Sequence, residues 1–297
     1  MIEQIWGIVG KYNAHENYSL KKCSSFGIGG EARFFATPDS IDSLFNLICF
    51  AEREAINYRI IGNATNILFG DLGFDGLIIS TRKICSIALI EGDSILASAG
   101  ASLYSVMTLA KSNKLSGFEF AVGIPGSVGG AIVMNAGAGD GEISQIINSV
   151  TVLEGGEVKT FGVEELDFGY RTSYFKTHKA SIILFAEFKL KKENNIQSIE
   201  EKMTNNLKRR RETQPQERSA GCVFKKNNDV PAGFLIDEAG LKGTVIGDAK
   251  ISEIHGNFIV NMGDAKAEDV KELIMLIKTE IWSKYKKDLE LEIEIIE

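Results

Sequence analysis

The sequence predicts an α+β fold built from at least two domains. Three observations carry that reading. Apolar residues recur at helical spacing in some windows and alternate strictly with polar ones in others. Paired glycines separate β-branched runs, as hairpin turns do. The chain has 297 residues, 44% hydrophobic and 25% charged, which allows a large core and two or three domains.

The elements follow in chain order. Thr37-Pro38-Asp39-Ser40 reads as a helix start, with Ile41, Leu44, Phe45 and Ile48 on one face behind it. "YRIIGNATNILF" (58–69) reads as strand, polar turn and apolar run. Ser102 is placed to cap a helix that buries Leu103, Val106, Met107 and Ala110. "SVTVLEGGEVKTF" (149–161) is a hairpin about Gly155-Gly156, and "ASIILFAEFKL" (180–190) is a further strand. The polar stretch 191–200 marks a boundary. Ile196, Ile199, Met203 and Leu207 then give a helix ending in Lys208-Arg209-Arg210-Arg211. A later helix carries Val270, Leu273, Ile274, Ile277 and Ile281. "LELEIEII" (289–296) alternates strictly, so it reads as a half-buried strand with Glu290, Glu292 and Glu294 on its solvated face.

Composition excludes several classes of function. A net charge of −7 argues against a nucleic-acid surface. Residues 1–11 are too short and interrupted for a signal h-region, and no apolar run approaches the roughly 18 to 20 residues of a membrane span. A cytoplasmic location is expected. Cys23, Cys49, Cys85 and Cys222 lie far apart, and His15, His178 and His255 are scattered, so no structural zinc is expected. A cytosolic location also argues against disulfides.

The strongest local signal is "GIPGSVGGAIVMNAGAGDGE" (123–142), which holds seven glycines. Any one of them alone reads as a tight turn. Together, interleaved with small residues and Pro125, they read as a loop whose exposed N–H groups cradle a diphosphate. "GIGGEA" (27–32) fits a dinucleotide fingerprint formally, but extended residues rather than a helix follow it, so a Rossmann site is discounted. No P-loop pattern occurs.

"GIPGSVGGAIVMNAGA", preceded by "IIGNATNIL" and followed by "FGYRTSYF" and "SAGCVFK", closely resembles the UDP-N-acetylenolpyruvoylglucosamine reductase family. "SSFGIGGEARFF", "AGFLIDEAGLKG", "ISEIHGNFIVN" and the terminal "LELEIEII" extend the resemblance over nearly the whole chain, and the order of the motifs makes it specific. The chain resembles the shorter family subtype. The resemblance implies a two-part FAD-binding region of the vanillyl-alcohol-oxidase/PCMH type plus an α+β substrate-binding domain. It implies boundaries of 1–80 with 285–297, 81–205 and 206–284. It also implies NADPH-dependent reduction of UDP-N-acetylglucosamine enolpyruvate to UDP-N-acetylmuramate, a cytoplasmic step of peptidoglycan precursor synthesis. The expected partners are the UDP-sugar and NADPH, with no nucleic acid, no membrane and no second subunit.

Residue roles follow from the same resemblance. Gly62, Asn63, Ala64, Thr65 and Asn66, with Pro125, Gly126, Ser127, Gly129, Gly130 and Asn135, are expected to hold FAD. Ala64 replaces the family's second glycine and puts a methyl beside the diphosphate. Arg171, an ordinary solvated group on pattern alone, is placed against the pyruvyl carboxylate, where a fixed guanidinium stabilises the enolate-like charge. Glu292 matches the family's catalytic glutamate, with Leu291 where proline usually stands. Cys222 stands where the family has a proton-donating serine. A thiol near pH 7 is largely protonated yet far more acidic than a hydroxyl, so it fits a general acid. It also exposes the protein to thiol oxidation or alkylation. Tyr170, Gln214, Lys225 and Lys226 are the expected substrate contacts, with Lys226 or Asn227 taking the usual asparagine's role. His255 reads as structural, and Tyr174 and Phe175 as packing. The basic run 208–211 is either a solvated helix end or a cationic guide for anionic substrates. Two rivals stand beside this reading: another flavin-dependent oxidase of the same fold, and a non-catalytic FAD- or UDP-sugar-binding relative.

Overall fold

The structure, a computed structural model, describes residues 1–139, 141–227 and 230–297. The N-terminal part is a four-stranded sheet in the order Ala14–Ser19, Glu31–Ala36, Phe74–Ser80, Tyr58–Ile61. Its first pair is antiparallel and the other two are parallel. The helices Ile2–Val9 and Ile41–Arg53 cover one face. Ser40 caps the second helix, its hydroxyl accepting from the Ser43 N–H at 3.1 Å. That helix buries Leu44, Leu47, Ile48, Phe50 and Ala51. Phe45 was expected on this stripe, but it lies one residue off it and is 37% exposed.

The middle part is a five-stranded antiparallel sheet in the order Glu157–Gly162, Ile147–Glu154, Ile182–Lys189, Ser94–Ser98, Ile87–Ile90. The hairpin read from sequence turns at Gly155 and Gly156, both at positive φ (60° and 81°), as a two-residue type I′ turn requires. Leu103–Ser112, capped by Ser102, buries the four apolar residues expected of it. The glycine-rich segment forms a loop and the short helix Val128–Val133, seated on this core.

The third part packs Ala232–Glu238 and Ala267–Tyr285 on a small antiparallel sheet, Val245–Ile246, Ala249–Ile251 and Ile259–Asn261. Phe26, Ile28 and Leu68 from the first part enter this core. "GIGGEA" runs straight into a strand, which bears out its dismissal as a dinucleotide loop. The chain end differs from the expected strand over 289–296. Only Glu294–Ile296 forms a ladder, parallel to Ile67–Phe69. The preceding residues change partner. Lys225 N–H donates to Glu290 O at 2.9 Å, and Glu292 N–H donates to Val223 O at 2.8 Å. One alternating segment thus serves two different neighbours.

Candidate active site

Two loops meet at the junction of the parts. Ser127 is buried and caps Val128–Val133, its hydroxyl accepting from the Gly130 N–H at 3.4 Å. A Cβ on Gly62 would lie 2.0 Å from that hydroxyl oxygen, so the turn 62–66 approaches the glycine-rich loop as only glycine allows. Gly129 packs against Ala99, where a Cβ would come within 3.1 Å of the alanine's own. The N–H groups of Asn63, Ala64, Thr65 and Asn66, and of Gly126 and Ser127, make no hydrogen bond among the described residues. These amide runs on two abutting loops fit a diphosphate, so the residues present suit FAD.

Several expected cofactor residues also have structural tasks. Asn63 O accepts from Arg82 Nη2 at 3.2 Å. Asn66 Nδ2 donates to Glu292 O at 2.9 Å, tying this turn to the last segment of the chain. Asn135 is fully buried; its Nδ2 donates to Gly169 O at 3.0 Å and its Oδ1 accepts from the Ser144 N–H at 3.0 Å. Ala64 adopts φ 49°, a left-handed conformation that costs an L-residue about 1–2 kcal/mol. Its methyl packs inward in the core that holds Leu20, Cys23, Ile61 and Phe69.

Arg171 is brought in by a tight turn, with Gly169 and Thr172 exchanging backbone hydrogen bonds and Arg171 itself at φ 55°. Its Nε donates to Glu292 Oε1 at 2.7 Å and its Nη2 to Gly137 O at 3.1 Å. Glu292 therefore does not lie on a solvated strand face: its side chain is only 12% exposed. Burial pushes its carboxyl above the usual range, while the Arg171 guanidinium, Lys225 and Lys176 pull it back.

Cys222 lies on an extended segment held between two others. It bridges Phe258 on one side, and Phe224 bridges Leu291 on the other. Asn257 fixes this segment, its Nδ2 donating to Phe224 O at 2.8 Å and its Oδ1 accepting from Phe224 N–H at 2.9 Å. The thiol is partly buried. Burial first, and then the Glu292 charge, push its pKa up to about 12, against the opposing pull of Arg171 and Arg210. All four cysteines are free.

The glutamates near the chain end each have a cation. Lys225 Nζ donates to Glu290 Oε1 at 2.5 Å, Arg171 to Glu292, and Lys179 Nζ to Glu294 Oε1 at 3.4 Å. Tyr170 carries Arg171 and Lys226 over its ring, at 5.2 and 4.8 Å from the centroid, and its OH accepts from the Lys226 N–H at 3.4 Å. Asn227 instead turns its Nδ2 to Asp288 O at 2.6 Å. Of the two candidates for the usual asparagine's place, Lys226 is the one against Tyr170. Gln214 closes the helix Ile196–Thr213, its backbone N–H donating to Arg210 O at 2.9 Å. His255 is a structural acceptor: its Nδ1 accepts the Asn257 N–H at 3.2 Å, and burial lowers its pKa. Phe175 is buried packing, as expected.

Sequence reasoning missed Asn257 and Arg210. Asn257 lies two residues after His255 in the same motif, and no local pattern marks it as the residue that brackets Phe224. Arg210 was read with its three basic neighbours, although the helix Ile196–Thr213 turns only this one inward.

Fold and loops together define an FAD-binding protein, and an FAD-binding-domain family matches residues 32–162. A second family, described as the C-terminal domain of UDP-N-acetylenolpyruvoylglucosamine reductase, matches residues 214–296. Enzymes of that name are similar over nearly the whole chain. The one from Caldicellulosiruptor bescii is 45% identical, covering 95% of this chain and 90% of its own. That from Clostridium novyi is 38% identical, covering 99% and 95%. The crystal structure of the Thermus caldophilus enzyme superposes with a TM-score of 0.81 at 35% identity, covering 94% of this chain and 97% of that one. The chain belongs to the UDP-N-acetylenolpyruvoylglucosamine reductase family, FAD-binding oxidoreductases. A variant of Phl p 4 described as a glucose oxidase shares the fold alone, with a TM-score of 0.51 at 12% identity over 64% of this chain and 44% of that one. The expected two-part FAD-binding fold with an α+β substrate domain is the one found. Among the described residues, no helix is long and apolar enough to cross a membrane.

Proposed function

We propose that this protein reduces UDP-N-acetylglucosamine enolpyruvate to UDP-N-acetylmuramate with NADPH in the cytoplasm, at a site between units 1–80 with 285–297, 81–205 and 206–284. The observation that supports this most is the convergence of Arg171, Cys222 and Glu292 from three distant segments of the chain. A rival oxidase of the same fold has no need of that set.

The turn 62–66 with the loop through Gly130 and Asn135 would hold FAD, which, reduced by NADPH, would supply the hydride. The chain's own residues do the rest. Hydride addition to the alkene places negative charge on the α-carbon and its carboxylate. Arg171, aimed by Glu292 and Gly137 O, stabilises that charge at a fixed position with little reorganisation. The Cys222 Sγ–H gives its proton to the α-carbon, which completes the saturated product. Tyr170, Lys225, Lys226 and Gln214 bind the UDP-sugar. The protein acts as a monomer.

An anaerobic two-step experiment tests this. NADPH should bleach the bound flavin, and adding the enolpyruvyl substrate should restore its oxidised spectrum. A flavin left oxidised by NADPH, or left reduced after the substrate is added, would overturn the reading.

A further inference from the structure

A proton donor works only where its hydrogen is aimed, and the chain before Cys222 gives it no aim. Gly221 stands at φ 78°, and a Cβ on it would meet no atom within 4 Å. The thiol is therefore held by the residues that follow it. Val223 N–H donates to Asn257 O at 2.8 Å, and Val223 O accepts from Glu292 N–H at 2.8 Å. Phe224 comes next. It is fully buried, so its own N–H and C=O need partners.

Ordinary strand pairing does not supply them. With Cys222 opposite Phe258 in an antiparallel bridge, Gly256 would come opposite Phe224. The chain turns away before that point. Gly256 lies against Gly233, where a Cβ would stand 2.9 Å from Gly233 O, and the Asn257 N–H donates to His255 Nδ1 at 3.2 Å. The Asn257 side chain fills the gap. Its Oδ1 accepts the Phe224 N–H at 2.9 Å and its Nδ2 donates to Phe224 O at 2.8 Å, so one amide stands in for a missing strand residue. Among the described residues, these two Phe224 groups have no other partner. Asn257 is itself 5% exposed, with its backbone N–H and C=O both bonded, so the bracket is rigid. It grips a three-residue stretch whose first member is the thiol and whose second, Val223, anchors the Glu292 backbone.

We propose that Asn257 is a positioning residue for the proton transfer: by bracketing Phe224 it aims the Cys222 Sγ–H at the α-carbon. This rests on the reductase reading above. The test uses the intact flavoprotein and follows the two half-reactions by anaerobic stopped flow in Asn257→Ala, in Cys222→Ala and in the double variant. In Asn257→Ala, FAD content and bleaching by NADPH should be unchanged. Reoxidation by the enolpyruvyl substrate should slow by about 10- to 100-fold, as a small misplacement of a reacting group does. The loss should fall on kcat, with the KM for that substrate within about twofold. In the Cys222→Ala background the same change should slow reoxidation no further, because the donor it aims is already gone. Should Asn257→Ala fail to fold, the isosteric Asn257→Asp, which loses the donor to Phe224 O when ionised, enters the same comparison. Reoxidation at the normal rate overturns the proposal. So does an equal loss in both backgrounds, which would make Asn257 a support of the fold alone, or a loss of bleaching, which would place its effect on the cofactor. If the unsubstituted protein is not reoxidised by the enolpyruvyl substrate, the reductase reading falls first.

Discussion

Arg171 and Glu292 stand 121 residues apart in the chain, and their side chains meet at 2.7 Å in a pair that is 22% and 12% exposed. Neither residue reaches the other by chance of a loop. The turn at Gly169 and Thr172 delivers the arginine, and the bonds from Asn66 and to Val223 hold the glutamate's backbone. The glutamate thereby fixes one cation in direction.

Glu292→Gln keeps the shape but removes the charge. Breaking a fully buried pair costs about 3–5 kcal/mol and an exposed one at most about 1. With this much residual exposure the loss should be about 1–2 kcal/mol, a fall in Tm of a few degrees for a chain this long. The substrate-dependent reoxidation should slow by about 10²–10³-fold, as for other losses of preorganised charge. Bleaching by NADPH should hold. Stopped-flow traces of the two half-reactions decide the matter, and reoxidation at the normal rate would remove Glu292 from the mechanism.

The Cys222 thiol, pushed up to about 12, should stay protonated well past the pH at which an ordinary thiol ionises, about 8.5. A raised native pKa means the folded protein keeps a proton that the unfolded chain releases. Its contribution to stability is whole below about pH 9 and is lost as the pH rises through about 12. Reoxidation should therefore show no fall from thiol ionisation between about pH 7 and 10. Because the thiolate is the reactive form, Cys222 should alkylate more slowly than exposed Cys49 and Cys85, against the vulnerability expected from sequence. Cys222→Ser should keep substantial turnover, and Cys222→Ala should bleach with NADPH but reoxidise poorly. Peptide mass spectrometry after iodoacetamide, with the pH profile, checks both halves; rapid alkylation of Cys222 would sink the claim of a protonated thiol.

Much of this was legible because local patterns agree with the fold. The Gly155-Gly156 hairpin, the stripe from Val270 to Ile281 and the Ser102 cap each need only short-range information. What stayed hidden depends on distant partners. Alternation alone made Glu292 a solvated residue, because nothing in 289–296 tells that 222–225 covers it. Arg210 looked like its neighbours because helical phase decides which arginine of four turns inward, and the face of that helix carries only one fully buried residue, Ile199. Asn135 is expected at the cofactor from its loop, and the loop gives no sign of its second task, in which Nδ2 donates to Gly169 O at the turn that presents Arg171.

Gly62 and Ser127 give the sharpest steric test. A methyl at Gly62 would stand 2.0 Å from Ser127 Oγ, and Ser127 has nowhere to go, being buried and committed to capping Val128–Val133. Gly62→Ala must therefore part the turn 62–66 from the glycine-rich loop, and the purified protein should lose most of its yellow flavin absorbance. Removing the obstruction should reverse this. Ser127→Gly takes away both Oγ and the Cβ that would lie 3.1 Å from the new methyl. Replacing a serine cap by glycine costs only a few tenths of a kcal/mol, so the rescue is nearly free of side effects. The double variant Gly62→Ala with Ser127→Gly should regain flavin, read as absorbance per protein after reconstitution with FAD. If it stays colourless while its Tm matches that of Ser127→Gly alone, the two loops do not form the cofactor cradle by direct contact.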